Sequence, residues 1–261
     1  MSSEQRPPLK VIRAFAQPDG GALVHLHNIS GGVLGGDHLQ VEIEVGAQAT
    51  VQLTSTSATR IYRSRADVPC AQQITRAHVQ AGGLLEYLPD PLIPFAGARY
   101  RQETEITLEE DAGLCWWETL APGRVASGER FAYKQLRIEM GIQTRNRPIL
   151  RECFALEPQK RAPTAATALA GYQYMSSFYL CRVGKPASYW LQFERQLAEM
   201  ATQLSHPGEI IWGVSTLVAH GLVVRVLSQQ SRDIAAGLLT FWKRARQELF
   251  QKEAIPPRKI Y

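Results

Sequence analysis

Cysteine is scarce in this 261-residue chain. The four present, Cys70, Cys115, Cys153 and Cys181, are scattered. No Cys-x-x-Cys pair exists, which excludes zinc-ribbon and thioredoxin-type chemistry. Free, buried thiols in a reducing compartment are expected instead. Long apolar runs are also missing, so no membrane-spanning helix is expected. The opening segment, Met-Ser-Ser-Glu-Gln-Arg-Pro-Pro, has no apolar core of the kind a signal peptide needs. Together these absences point to the cytoplasm and away from a membrane. No Gly-x-Ser-x-Gly elbow frames a nucleophilic serine. Concentrated positive charge is lacking as well. The net charge is +5 and the pI about 9.1. The basic residues are dispersed, apart from Arg60, Arg63 and Arg65 and a C-terminal set of Lys243, Arg244 and Arg246. A nucleic-acid binder gathers its charge into a patch interleaved with aromatics. No such motif is present, and an acidic protein partner suits the charge better.

What is present is ordinary for a globular protein: 45% hydrophobic and 20% charged residues. The length suffices to bury a core without disulfide or metal staples. No linker-like stretch divides the chain, so a single domain over residues 1–261 is expected. From about Leu9 to Glu157 the dominant period is two. Val41, Ile43 and Val45 alternate with Gln40, Glu42 and Glu44, and Thr75, Ala77 and Val79 alternate with Arg76, His78 and Gln80. This is the signature of strands with one buried face. The segments break at Gly46-Ala47, Gly82-Gly83 and Ala112-Gly113, and each break is followed by another apolar strand. Spacings near 30 residues suggest stacked coils or repeated hairpins. The expected fold is mainly β, a β-helix-like body of many strands in stacked sheets. The C-terminal third changes period. Ser188 to Leu204 reads as a helix, Ile210 to Leu227 as one or two buried strands, and a second helix capped by Ser231 carries Ile234, Leu238, Phe241, Trp242, Ala245 and Leu249 on one stripe.

Several constellations bear on chemistry. The run Gly31-Gly32-Val33-Leu34-Gly35-Gly36-Asp37 is not a phosphate loop, because an acid and a strand follow it where Lys-Ser/Thr and a helix are required. A tight turn is the simpler reading; presentation of Asp37 to a cation or a partner's arginine is the other. His25 and His27 share one strand face, which suits a metal only if further ligands join them. Glu86 and Glu118 sit in strongly apolar strands at the same place after their small-residue corners. A buried carboxylate is costly unless paired. The two could face each other as the acid and base of a hydrolase or lyase, hold a divalent ion weakly, or serve as structural carboxylates bonded to arginine or backbone N–H groups. The hydroxyls from Thr54 to Thr59 suit strand and turn backbone or a polar interior.

The order of these segments resembles a known family. The glycine run is followed by Thr54-Ser55-Thr56-Ser57-Ala58-Thr59-Arg60-Ile61-Tyr62-Arg63-Ser64. Next come Leu85-Glu86-Tyr87-Leu88-Pro89-Asp90-Pro91-Leu92-Ile93-Pro94-Phe95 and Gly123-Arg124-Val125-Ala126-Ser127-Gly128-Glu129. The chain ends in Pro256-Pro257-Arg258-Lys259-Ile260-Tyr261. The ensemble, from about Gly31 to Tyr261, resembles the urease accessory protein D family (UreD, called UreH in some organisms). The resemblance implies a β-helix-like body with few helices. It also implies a non-catalytic scaffold that binds apo-urease and accessory protein F, which recruits the GTPase accessory protein G. That assembly supports insertion of two nickel ions at a carbamylated lysine of urease. A dimeric arrangement within the complex is the matching expectation. No cofactor is implied as tightly bound, and nickel is in transit through a polar interior. On the matching positions, Asp37, Glu86 and Glu118 are the acids placed along such a route. Gly35, Gly36, Arg60 and Tyr62 fix a strand end or meet a partner. Arg124 and Glu129 form an internal ion pair if their motif is structural. Pro122 stands where the family usually carries leucine. The carboxylate-pair hydrolase or lyase is the alternative to this reading.

Overall fold

The computed structural model describes residues 3–145 and 147–257. The last four residues of the expected C-terminal motif, Arg258 to Tyr261, lie outside the described residues. The period-two segments form strands β1 (Leu9–Ala16), β2 (Ala22–Asn28), β3 (His38–Val45), β4 (Thr50–Ser55), β5 (Thr59–Ile61), β6 (Ala71–Val79), β7 (Leu84–Tyr87), β8 (Leu92–Pro94), β9 (Arg99–Leu108), β10 (Gly113–Leu120), β11 (Gln135–Thr144) and β12 (Arg147–Leu156). Beyond them lie β13 (Tyr174–Arg182), helix α1 (Ala187–Leu204), β14 (Ile210–Thr216), β15 (Gly221–Ser228) and helix α2 (Ser231–Phe250). The C-terminal expectations hold with one correction. Ser231 is the first residue of α2 rather than its cap. The cap position is Gln230, whose side chain makes no capping bond.

The strands wind as a β-solenoid. β2, β4, β7 and β10 run parallel in one sheet, and β3, β6, β9 and β11 run parallel in the other. Each coil contributes one strand to each sheet, so the chain returns to the same place about every thirty residues: Ala22 lies beside Val51, Thr50 beside Leu84, and Leu84 beside Gly113. β5 and β8 form a short third side. The stack ends in antiparallel strands: β1 on β2, β12 on β11, and β13, β15 and β14 beyond β10.

Strand alternation assigns each side chain to a layer. On β10, Leu114 and Trp116 enter the core between the sheets, whereas Cys115 and Trp117 face the two helices. The larger sheet is therefore covered on both faces, as parallel strands require. The smaller sheet shows its outer face to solvent and lines it with ion pairs, such as Arg101 with Glu103 and Glu139. α1 and α2 bury Trp190, Phe193, Leu197, Phe241 and Trp242 against the larger sheet. All four cysteines are free. Cys115 and Cys181 are buried as expected, but Cys153 is exposed on β12 and Cys70 is half-buried.

The small-residue corners are turns with a fixed requirement. Gln48, Gly82 and Asp111 occupy the equivalent position of successive coils, with φ of 59°, 65° and 53°. Their backbones are tied coil to coil, from Gln48 N–H to Ala81 O and from Gly82 N–H to Glu110 O. Glycine alone adopts this conformation without a steric cost. We expect Gly82→Ala to lower stability by about 1–2 kcal/mol, and Gln48→Gly to raise it by up to about 1 kcal/mol. Urea unfolding midpoints of the two variants check both signs.

Candidate functional site

Inward-facing positions of a β-solenoid are normally apolar. Here a polar layer interrupts them. Gln73 on β6 lies in register with Gln102 on β9, and Thr75 with Thr104. The Tyr100 hydroxyl lies 3.4 Å from Gln73 Oε1 and 3.3 Å from Gln102 Oε1. Gln102 Nε2 donates to Glu118 Oε1 at 2.5 Å, and Trp116 Nε1 reaches the same oxygen at 3.3 Å. Glu118 thus ends a chain of polar side chains running between the sheets.

Glu118 faces a cavity of about 70 Å³, whose walls include Gln73, Tyr87, Gln102, Glu152, Ser177 and Tyr179. The cavity is large enough for a few waters or a partly hydrated ion. Its second carboxylate is Glu152 on β12. Arg225 on β15 holds Glu152 in a bidentate pair, with Nη1 to Oε1 at 2.8 Å and Nη2 to Oε2 at 2.6 Å. The Tyr179 hydroxyl donates to Glu152 Oε2 at 3.2 Å. This ion pair crosses from one sheet to the other. Protein atoms enclose Glu118 although it keeps some contact with the cavity. That enclosure, aided by the charge of Glu152 and opposed by the bonds from Trp116 and Gln102, pushes its pKa up to about 7. Glu118 therefore changes charge near neutral pH.

Glu86 lies elsewhere. The register puts it beside Cys115 on the helix-facing side of the larger sheet, opposite to Glu118. It is fully buried. Trp242 Nε1 donates to its Oε1 at 2.7 Å, and Arg246 Nε lies 3.2 Å from the same atom. Arg246 is itself fully buried. It donates to Asp19 Oδ2 at 2.6 Å and to the carbonyl of Glu253. Burial raises the Glu86 pKa, against the pull of Arg246, Trp242 and Gln52. The expectation that Glu86 and Glu118 face each other as a carboxylate pair is therefore corrected. The small-residue corners set the coil, but Glu118 lies three residues past the partner of Glu86, and an odd offset reverses the face. The carboxylates that share a cavity are Glu118 and Glu152.

The motif residues gather along one ridge. Val33 bridges to Ile61, with Val33 N–H to Arg60 O and Tyr62 N–H to Val33 O, both at 2.8 Å. Tyr62 packs so closely on Gly32 that a Cβ there would lie 2.5 Å from its ring, and a Cβ on Gly35 would lie 2.8 Å from Val68. Gly36 has φ of +87°. Asp37 closes this turn: its Oδ2 accepts the Leu34 N–H at 2.8 Å. Tyr62 meets Phe95 edge-on at 5.1 Å, and the Arg124 guanidinium covers Phe95 at 4.3 Å. Arg124 pairs with Glu129, which also accepts the Ala96 N–H at 3.1 Å. The expected pair of Arg124 with Glu129 forms, but at the surface rather than in the interior, with the Arg124 side chain 43% exposed.

Asp37, Glu86 and Glu118 thus occupy three separate places: the ridge, the helix-facing layer and the interior. His25 is buried on β2, with its ring centroid 6.3 Å from that of His27. Among the described residues no group of three His, Cys, Asp or Glu side chains is arranged to hold a metal. Sequence reasoning did not single out Gln73, Gln102, Glu152, Tyr179 and Arg225 as site residues. A signal existed for two of them, since Gln73 and Gln102 sit in the apolar phase of their strands. Glu152 and Arg225 gave none, because their meeting depends on how β12 and β15 close the stack.

A family model described as UreD urease accessory protein matches residues 1–260. Among curated relatives, the chain is 47% identical over 258 residues to "Urease accessory protein UreD" of Herpetosiphon aurantiacus, covering 99% of this chain and 90% of the relative. It is 32% identical over 228 residues to the protein of the same name from Pseudomonas aeruginosa, strain PAO1, covering 87% and 76%. It is 28% identical over 251 residues to that of Bacillus sp., covering 96% and 89%.

Replacing Glu118 and replacing Glu86 are expected to move stability in opposite directions. The Glu118 carboxyl is raised from its ordinary 4.5 to about 7 in the fold. The unfolded chain releases this proton first, so stability is full below about 4.5, falls as pH rises toward 7, and is level above. We expect Glu118→Gln to remove this slope and to stabilise the protein at pH 8, by an amount on the order of 3 kcal/mol. Glu86→Ala strips a buried arginine of a partner and is expected to cost about 3 kcal/mol or more. Urea titrations at pH 5 and pH 8 measure both.

Proposed function

This chain belongs to the urease accessory protein UreD family, and from that premise we propose that it is a non-catalytic scaffold for loading nickel into urease. Its role in urease maturation follows from the family. The finer reading is ours. The protein binds apo-urease and accessory protein F, and the assembly joins the GTPase accessory protein G. Nickel passes through the interior polar layer on its way to the urease site. The observation that carries this reading is the cavity shared by Glu118 and Glu152, in a chain that matches the family over nearly its whole length.

The chemistry suits cargo rather than storage. Carboxylate, amide and hydroxyl oxygens hold a borderline divalent ion weakly, and among the described residues no thiolate or imidazole faces this cavity. Glu118 with a pKa about 7 gives up a proton when a cation arrives and regains it when the cation leaves. Of the three acids expected along the route, Glu118 is the one on which the proposal rests. The partners of Glu86 fit it for anchoring α2, and those of Asp37 fit it for closing a turn. Four free cysteines suit the reducing cytoplasm. No described helix is long and apolar enough to cross a membrane.

Co-expression of Glu118→Ala with urease and the other accessory proteins tests the proposal. Urease activation is expected to fall about tenfold or more, while size-exclusion chromatography shows the same assembly as the unaltered protein. Full activation by the variant would remove the cavity from the route. Absence of any complex between the unaltered protein and urease or accessory protein F would end the scaffold reading.

A further inference from the structure

The solenoid gathers motifs from distant parts of the chain onto the corner between its two sheets. Residues 31–37, 60–65, 92–97 and 123–130 lie on successive coils there, joined by the Val33–Ile61 bridge, the β5–β8 pairing and the Arg124–Phe95–Tyr62 stack. The surface of this ridge is cationic. Arg60 and Arg63 are exposed, and neither makes an ion pair or a side-chain hydrogen bond among the described residues. The Arg63 stem lies across Gly97, and its charge acts on Glu129. Arg130 is exposed and among the described residues reaches only the neutral Gln173, at 2.9 Å. Leu34, one residue beyond the bridge, is 52% exposed, and Ile29 is 57% exposed.

We propose that this ridge is the docking surface for an acidic segment of apo-urease, with Arg60 and Arg63 meeting its carboxylates and Leu34 giving an apolar anchor. The proposal rests on the scaffold reading above. Three observations favour it. The two arginines, unpaired among the described residues, stand on coil positions held by backbone pairing, so binding orders their side chains but not the backbone beneath them. The ridge shares Thr59 and Leu92 with the wall of the Glu118 cavity, so a partner seated there is next to the cargo. Arg130, bonded among the described residues to the neutral Gln173, adds a further positive charge to the same corner, which an acidic segment complements.

Nucleic acid fits the same ridge less well. Binding of single strands depends on open aromatic faces. Here Arg124 covers Phe95, and Tyr62 lies against Gly32.

The test is a charge reversal, Arg60→Glu with Arg63→Glu, alongside the neutral pair Arg60→Ser with Arg63→Ser. Binding of purified apo-urease and of purified accessory protein F is measured by biolayer interferometry at several salt concentrations. For apo-urease the expected result is a loss of about tenfold or more on reversal, a smaller loss for the neutral pair, and a weaker salt dependence in both. Binding of accessory protein F is expected to be unchanged, which also reports an intact fold. Unchanged apo-urease binding by the reversal variant would overturn the proposal. So would a loss confined to accessory protein F, or salt-sensitive retention of RNA by the unaltered protein that the reversal abolishes. Failure of the unaltered protein to bind either partner would instead strike the scaffold reading itself.

Discussion

The in-register parallel stacking of the coils is the constraint on which everything else depends. Once Leu84 is fixed beside Gly113 and Thr50, the pleat decides which layer every other residue enters. Two carboxylates on neighbouring strands then meet opposite fates. Glu86 points to the helices and finds Arg246 and Trp242, and Glu118 points to the interior and finds Gln102 and an open volume. Neither outcome follows from the residue type. Both follow from the parity of a position within its coil.

The energetic consequences differ accordingly. Taking a charge out of water is expensive, and a buried pair is sustained only when its remaining hydrogen-bonding capacity is filled. Around Glu86 the polar atoms of Trp242, Arg246, Gln52 and Asp19 form one network that ties α2 and the segment after it to the larger sheet. Such a network orients a helix that hydrophobic packing alone would leave free to slide. Glu118 has no cation beside it. Its environment favours the neutral acid, and the fold bears a cost whenever that acid ionises. That cost falls at the cavity on which the proposed role rests.

Much of the fold was legible in the sequence. Period two, broken at small residues about every thirty positions, is the direct imprint of a coil with one strand per sheet. The helices were legible from Trp190, Phe193 and Leu197 and from Leu238, Phe241 and Trp242 at helical spacing. The corners were read to within a residue or two, since Gln48 and Asp111 serve where glycine was sought. The site was less legible. Glu118 stood out as a carboxylate in an apolar strand, but Glu86 stood out equally, and only the register separates them. Arg246 was one of the C-terminal basic set and is fully buried. Glu152 lay in an unremarkable alternating strand, and its place at the cavity is set by long-range closure between β12 and β15, which no local pattern encodes.

A solenoid also separates tasks that a compact pocket would combine. Helix-facing positions hold the body together, interior positions form the polar layer, and corner positions present cations outward. Because the three sets alternate along the same few strands, a change in one need not disturb another: Cys115, Trp116 and Trp117 are consecutive, yet Trp116 faces the interior while its neighbours face the helices. An enzyme needs the opposite, convergence of several groups on one bond. Glu86 and Glu118 diverge onto opposite faces of the larger sheet, and Glu118 shares its cavity with Glu152. In the carrier role proposed above, that divergence leaves an ion met by few oxygens at each step and bound loosely enough to move on.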